Sequence, residues 1–154
     1  MNQNIRFDSG QNIIGNYEMI SNENKHNITI YLSSTNYELM KKSFPQMANH
    51  AKIHNMPVEE VIKEFKDGEF GAVFTMAVLE HIHYDSEWIF PEIARITNNL
   101  LITIEDERCL SWRHFPRNYK EAFEPLGMKQ IKEINCSNIE GLGGSFFARI
   151  FQKA

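Results

Sequence analysis

The stretch from Phe70 to Thr103, FGAVFTMAVLEHIHYDSEWIFPEIARITNNLLIT, decides the fold. It contains an apolar run, Ala72–Thr75, that predicts a buried strand. A second apolar run, which also predicts a buried strand, begins at Leu100 near the end of the stretch and extends one residue past it, to Ile104. Between the two runs, residues 86–97 carry apolar side chains at helical spacing. A strand, a helix and a second apolar strand in this order predict a parallel unit that is covered by helices.

The same alternation continues on both sides of this unit. Before it, the sequence predicts strands and helices at Ile5–Phe7 (strand), Asn16–Ser21 (weak helix), Ile28–Leu32 (strand), Thr35–Ser43 (helix), Ala51–His54 (strand) and Pro57–Lys66 (helix). After it the sequence predicts a helix at Pro116–Leu126 and strands at Lys129–Ile134 and Phe146–Gln152. Three glycines lie between the two strands, which indicates a hairpin. The sequence therefore predicts one domain over residues 1–154. Its fold class is α/β: a Rossmann-like, mostly parallel sheet with helices on both faces and an antiparallel C-terminal edge hairpin.

Composition and charge exclude several classes of protein. The chain has 154 residues, of which 42% are hydrophobic and 23% charged, and its net charge is −4. No apolar run approaches the roughly 18 residues of a membrane helix, and no basic cluster exceeds a pair, so neither a membrane nor a nucleic acid is expected as a partner. The N-terminus shows no signal-peptide pattern and the two cysteines form no disulfide framework, which favours a cytoplasmic protein.

The deciding stretch resembles one unit of the class I methyltransferases that depend on S-adenosylmethionine (SAM): the fourth strand, the helix after it and the fifth strand. The resemblance is carried by the order of these elements, by Leu79-Glu80-His81-Ile82 and by the helix sequence EIARI at residues 92–96. Residues 37–45 fit the helix after the family's second strand. The resemblance implies SAM as the cofactor and a small molecule as the methyl acceptor.

The resemblance also assigns cofactor contacts at the carboxyl ends of the strands, where such sheets bind ligands. In the family, an acidic residue and spaced glycines follow the first strand; here Asp8 and Gly10 match, Gly15 falls one residue late, and two isoleucines interrupt the spacing. The 23 residues from Asp8 to Tyr31 fit a strand–helix–strand return, and Tyr31 stands where the family has an acidic residue for the ribose hydroxyls. The expected cofactor-binding residues are Asp8, Gly10, Gly15, Tyr31, Leu32, Asn55, Met56, Thr75 and Met76.

The segment after the fifth strand, residues 105–119, is expected to contact the acceptor. Its aromatic and cationic side chains are suited to an anionic or aromatic molecule. The alternative is that its arginines pair with the glutamates at its start while its aromatic side chains seal the next helix. The candidate acceptor-binding residues are Trp112, Arg113, His114, Arg117 and Tyr119.

His81 is the candidate catalytic base, because the pKa of a free imidazole, about 6.5, lies close to neutral pH. The alternative is that Glu80 and His81 cap and pack the helix that follows. His81 and His83 are spaced like a short metal-binding pair, but no third ligand is evident nearby in the sequence, so no metal site is expected.

Two functions are compatible with these features. The first is a SAM-dependent methyltransferase acting on an unidentified small molecule, which needs few essential side chains because it works mainly by orienting the acceptor. The second, favoured by the altered glycine loop and by Tyr31, is a catalytically inactive methyltransferase-like protein that serves as a binding or scaffolding partner. A side chain of Ile13, Ile14 or Tyr31 filling the cofactor pocket would favour the second. A homodimer is left open, and an apolar surface patch would indicate one.

Overall fold

The computed structural model describes residues 58–154 in full and, before them, residues 41, 42 and 45 and the backbones of three strands. The strands are β1 (Glu18–Ser21), β2 (Ile28–Tyr31), β3 (Ala51–His54), β4 (Phe70–Met76), β5 (Thr97–Asp106), β6 (Met128–Asn135) and β7 (Phe146–Lys153). The helices whose bounds are described are α1 (Val58–Val61), α2 (Ile89–Ile96) and α3 (Tyr119–Phe123), with single 3-10 turns at Ile62–Glu64, Leu79–His81, Tyr84–Ser86 and Glu124–Leu126. None of these helices has the length and apolar character that crossing a membrane requires.

The seven described strands form one sheet in the order β3-β2-β1-β4-β5-β7-β6. Strand β2 is parallel to β3 and β4 is parallel to β5, whereas β7 is antiparallel to both β5 and β6. Strands β2 to β6 therefore point in one direction, and β1 and β7 point in the other. The predicted Rossmann-like α/β fold and its antiparallel C-terminal hairpin at the edge are confirmed. The sheet is mixed: five of its seven described strands point in one direction, but only two of the six described pairings are parallel.

The first strand differs from the sequence prediction. The weak helix predicted near Asn16–Ser21 is wrong, because Glu18–Ser21 is a strand that pairs antiparallel with β2 on one side and β4 on the other. Six residues separate Ser21 from Ile28, fewer than the ten or so of a crossover, so β1 and β2 form a hairpin and not a strand–helix–strand return. So short a segment shows too little periodicity to separate helix from strand, and the pairing with its neighbours decides. The predicted strand Ile5–Phe7 lies outside the described residues.

The predicted unit of strand, helix and strand is confirmed as β4, α2 and β5. Helix α2 is amphipathic and buries five of its eight side chains: Ile89, Phe90, Ile93, Ala94 and Ile96. They share one core cluster with Val73 of β4 and Leu101 of β5, which are both fully buried, and α1 and α3 contribute to the same cluster. Phe74 and Met76, on the opposite face of β4, are only partly buried. The described helices thus cover one face of the sheet.

Leu101→Ala should destabilise the protein by about 2–5 kcal/mol, because it leaves a cavity between the sheet and α2. The matched control is Leu110→Ala, at a leucine that is 74% exposed, which should change the free energy of unfolding by less than about 0.5 kcal/mol. Urea denaturation of the three proteins measures both values. Equal effects of the two substitutions would contradict this description of the core.

Candidate functional site

The carboxyl ends of β4 and β5 lie side by side and form the candidate site. The two strands pair up to Met76 and Ile104, and β5 continues to Glu105 and Asp106. Directly after Met76, Ala77 has a φ of 51°, in the left-handed region that residues with a Cβ rarely adopt. The chain thereby turns over the end of β5. Strained backbone of this kind is concentrated at functional sites in proteins.

Glu105 is the buried acid that holds this turn. Its side chain has no exposed surface, and Oε2 accepts hydrogen bonds from three successive backbone N–H groups, those of Val78 (2.8 Å), Leu79 (3.0 Å) and Glu80 (3.4 Å). Burial raises the pKa of Glu105 to about 8, with a further increase from the nearby Glu80 carboxyl, although the Thr75 hydroxyl and the N–H donors oppose it. Glu105 therefore keeps its proton at neutral pH, and it lies at the buried end of the site.

Five buried side-chain polar atoms, one of them on Glu105 itself, have no hydrogen-bond partner of regular geometry among the described residues. They are Oγ1 of Thr75, Oγ1 of Thr103, Oε1 of Glu105, the hydroxyl of Tyr119 and Nη2 of Arg117. Burial raises the pKa of Tyr119, so its phenol stays neutral. An unpaired buried polar atom costs about 1–3 kcal/mol, so a polar group that reaches any one of these atoms would be stabilised there.

Glu80 lies on the turn that Glu105 holds, and its side chain is only 4% exposed. Its Oε2 accepts a hydrogen bond from the backbone N–H of Asp106, which ties the turn after β4 to the end of β5. Its Oε1 lies 3.7 Å from Nε2 of His81 and 3.7 Å from Nε2 of His114. Burial raises the pKa of Glu80 above its usual value, while the Asp106 N–H and the two imidazoles oppose that shift.

The two histidines meet although 33 positions separate them in the sequence. Their ring centroids lie 4.8 Å apart. Nδ1 of His81 lies 2.8 Å from the carbonyl oxygen of Arg113, which can only accept, so this nitrogen carries the proton and Nε2 keeps its lone pair when the ring is neutral. Nδ1 of His114 lies 2.8 Å from Oγ of Ser111. Both rings therefore present Nε2 to Glu80.

Asp106, the next residue on β5, fixes the loop on the other side of the site. Its Oδ1 accepts from the N–H groups of Arg108 and Cys109, and its Oδ2 accepts from the hydroxyl of Ser145. Partial burial acts to raise the pKa of Asp106, but these hydrogen bonds outweigh it, so the net pKa is lowered. Asp106 is thus an ionised group that joins the loop after β5 to the start of β7.

The predicted acceptor-binding residues lie in different environments. Trp112 is 79% exposed, and the guanidinium of Arg113 lies 4.1 Å from the centre of its ring. Arg117 is bonded to Glu87, with Nε 2.9 Å from Oε1, and Tyr119 is fully buried. The structure therefore leaves Trp112 and Arg113 at the surface and brings His114 to His81. Tyr119 belongs to the hydrophobic core. The alternative interpretation of this segment expected Arg117 to pair with a glutamate of Glu105–Glu107, but Arg117 pairs with Glu87 instead.

The predicted cofactor-binding residues are described in part. Thr75, fully buried, and Met76 stand at the end of β4, and Tyr31 is the last residue of β2, whose carboxyl end lies on the same side of the sheet. The remaining six lie outside the described residues: Asp8, Gly10, Gly15, Leu32, Asn55 and Met56. Their part in a cofactor site stays a prediction.

Sequence reasoning missed the roles of Glu105 and Asp106. The signal was present, since two acidic residues directly follow the apolar run LLITI, an unusual place for charge. Sequence reasoning also missed His114 as a neighbour of His81. His83, which the spacing pairs with His81, turns away instead: its Nδ1 accepts from the N–H of Asp85, 3.2 Å away, and its ring packs on Phe115.

No protein-family model matches the sequence, and no curated protein matches it. The structure, in contrast, is similar to solved methyltransferases. One is the 1,6-didemethyltoxoflavin-N1-methyltransferase of Burkholderia thailandensis, solved with 1,6-didemethyltoxoflavin and S-adenosylhomocysteine bound. The TM-score is 0.63 at 12% identity, over 84% of this chain and 62% of that one, so this chain spans less than two thirds of that enzyme's length.

Two further structures show the same fold. A TehB-like SAM-dependent methyltransferase from Corynebacterium glutamicum gives a TM-score of 0.60 at 15% identity, over 84% of this chain and 69% of that one. The [4+2]-cyclase SpnF gives 0.58 at 10% identity, over 82% of this chain and 66% of that one. These similarities show that the chain has the class I SAM-dependent methyltransferase fold, as the sequence predicted.

Glu105→Gln should change how stability depends on pH. Because the folded protein raises the pKa of Glu105 from 4.5 to about 8, its contribution to stability is complete below pH 4.5 and is lost as the pH rises through 8. Glutamine keeps the acceptor oxygen for the turn but cannot ionise. The free energy of unfolding of the variant minus that of the wild type should therefore increase by several kcal/mol between pH 5 and 8. Urea denaturation at several pH values measures it, and a difference that stays constant would contradict the assignment.

Proposed function

We propose that this chain, which has the fold of class I SAM-dependent methyltransferases, binds SAM and transfers its methyl group to a small-molecule acceptor. The observation that carries the proposal is the similarity over 84% of the chain to a methyltransferase solved with S-adenosylhomocysteine bound. A fold does not by itself fix a reaction, and the [4+2]-cyclase illustrates this. The residues of the site must therefore support the proposal as well.

The charge at the carboxyl ends of β4 and β5 suits this cofactor. Glu105 is mostly protonated at neutral pH, but the lowered pKa of Asp106 keeps the neighbouring carboxyl ionised there. A negative field of this kind favours a bound cation, such as the sulfonium of SAM. SAM, when bound, supplies an electrophilic methyl group. The described residues thus fit the cofactor by the sign of their charge, with Thr75 and Met76 as its nearest proposed contacts on β4.

The reversal of β1 is compatible with the predicted cofactor loop. Strand β1 begins at the carboxyl edge of its neighbour β4, because Glu18 pairs with Phe74. Asp8, Gly10 and Gly15 directly precede Glu18 in the sequence. The proposed loop therefore precedes the first described strand in the sequence, and that strand begins at the edge where β2, β3, β4 and β5 end.

The chain's own residues would orient the acceptor and take its proton. Holding the acceptor in line with a methyl donor provides most of the acceleration that such a reaction needs. Trp112 and Arg113 form an exposed stacked pair that suits a planar or anionic acceptor. His81 keeps a lone pair on Nε2 and is 36% exposed, so it is the proposed general base.

Calorimetric titration of the full chain with SAM and S-adenosylhomocysteine tests cofactor binding. We expect micromolar affinity, which Gly10→Val should abolish by crowding the proposed loop. Gly143→Val is the matched control, since a Cβ at Gly143 meets nothing closer than Oγ of Ser145 at 3.8 Å. If the wild type, shown to be folded, does not bind millimolar SAM, the proposal fails and a non-catalytic binding role takes its place.

Tyr31→Asp should strengthen SAM binding. An acidic residue at the end of β2 would accept hydrogen bonds from the ribose hydroxyls, and bonds to a charged group contribute about 1.5–3 kcal/mol each. The expected gain in affinity is about tenfold or more. Tyr31→Asn is the control, because asparagine has the shape of aspartate without its charge, and its gain in SAM affinity should be smaller. Weaker binding by Tyr31→Asp than by the wild type would contradict the alignment of β2 with the ribose.

A further inference from the structure

The side chains of Glu80, His81 and His114 form a cluster that methyl transfer by orientation does not require. Among the described residues they bring one carboxylate oxygen and two imidazole nitrogens together, with donor atoms all within 4.8 Å of one another. Glu80 is held from below by its hydrogen bond from the Asp106 N–H, while the two histidines are about one-third exposed. The cluster therefore has a fixed, buried carboxylate and opens to solvent.

The protonation of His81 suits metal coordination. Its Nδ1 donates to the carbonyl oxygen of Arg113 at 2.8 Å, so Nε2 is left with a lone pair facing Glu80. Metal-binding histidines in proteins typically use this arrangement, in which a backbone carbonyl orients the ring through the nitrogen that does not bind the metal. Ser111 stands in the corresponding position behind His114, with Oγ 2.8 Å from Nδ1.

The distances are close to those of a bound ion. Zn²⁺ binds imidazole nitrogen and carboxylate oxygen at about 2.0–2.2 Å, which places the donors of a tetrahedral site about 3.4 Å apart. Oε1 of Glu80 lies 3.7 Å from Nε2 of each histidine. Metal binding would have to bring all three donors, which now lie within 4.8 Å of one another, to that separation, and the two histidine rings are partly exposed and able to rotate.

We propose that Glu80, His81 and His114 bind a divalent transition-metal ion of the Zn²⁺ type through three protein ligands. Two imidazoles and one carboxylate favour Zn²⁺, Fe²⁺, Co²⁺ or Ni²⁺ over Mg²⁺ and Ca²⁺, which prefer oxygen ligands. Three protein ligands leave a coordination position open, as in catalytic and not structural metal sites. The third ligand comes from the loop after β5, which is why the spacing of His81 and His83 alone does not indicate the site.

The open position has a consequence that rests on the proposed function. The ion would lie beside the proposed acceptor-binding residues Trp112 and Arg113, because Nδ1 of His81 bonds the Arg113 carbonyl and His114 follows Arg113 directly. An acceptor oxygen or nitrogen bound to the ion would lose its proton more readily. The bound ion would then promote loss of the acceptor's proton, which is the role proposed for His81 as a general base when no ion is bound. Metal binding itself requires neither SAM nor an acceptor.

Equilibrium dialysis of the full chain against Zn²⁺, without SAM, tests the site. After treatment with a chelator, the wild type should bind one Zn²⁺ per chain at this site. His81→Ala and His114→Ala should each weaken that binding by more than the ~10–100-fold that loss of a supporting partner causes. Both positions are partly exposed, so both variants should remain folded, which circular dichroism checks.

Two controls separate this site from adventitious binding. His83→Ala removes an exposed histidine two residues away whose Nδ1 is already bonded to the Asp85 N–H, and Cys109→Ser removes an exposed thiol. Both should bind Zn²⁺ as the wild type does. Co²⁺ should give visible absorption bands of a four- or five-coordinate site in the wild type and in both controls. Unchanged binding by His81→Ala and His114→Ala would overturn the proposal, whatever the outcome of the SAM titration.

Discussion

The buried carboxyl of Glu105 is the group on which the arrangement of the site depends. A carboxyl group removed from water is costly unless hydrogen bonds compensate for the loss of solvent. The backbone N–H groups of residues 78–80 provide three such bonds to one oxygen, and in doing so they fix the turn that follows β4. That turn carries Glu80 and His81. The position of both side chains is therefore set by a residue on the neighbouring strand, about 25 positions further along the chain.

Asp106 extends the same principle to the other half of the site. Successive side chains of a strand point to opposite faces, so Glu105 and Asp106 serve different neighbours. Glu105 holds the turn after β4, whereas Asp106 holds the loop after β5 and, through Ser145, the start of β7. The backbone N–H of Asp106 also holds Glu80. Two adjacent residues at the end of one strand thus organise three segments of chain, and the meeting of His81 with His114 follows from that.

The fold and the reaction are determined at different levels. The fold is a property of the whole sheet, and proteins of different activity have similar folds. In this chain β1 runs against its neighbours, so a glycine loop cannot follow it into a helix as in an ordinary Rossmann unit. The carboxyl edge of β4 and β5 carries two buried acids and a strained turn at Ala77. The chemistry of the protein is therefore best sought at that edge.

The sequence by itself determined the unit of β4, α2 and β5 and the closing hairpin, because long apolar runs and helical spacing report directly on which side chains must leave water. It did not determine β1. This four-residue segment is a strand because its backbone hydrogen-bonds to β2 on one side and to β4 on the other. The tertiary structure alone decided that Glu105 is buried and protonated near neutral pH, because burial depends on which turn covers the end of the strand. It alone also decided that His81 faces His114 and not His83. Local spacing predicts contacts within one element, whereas these contacts join the ends of two strands.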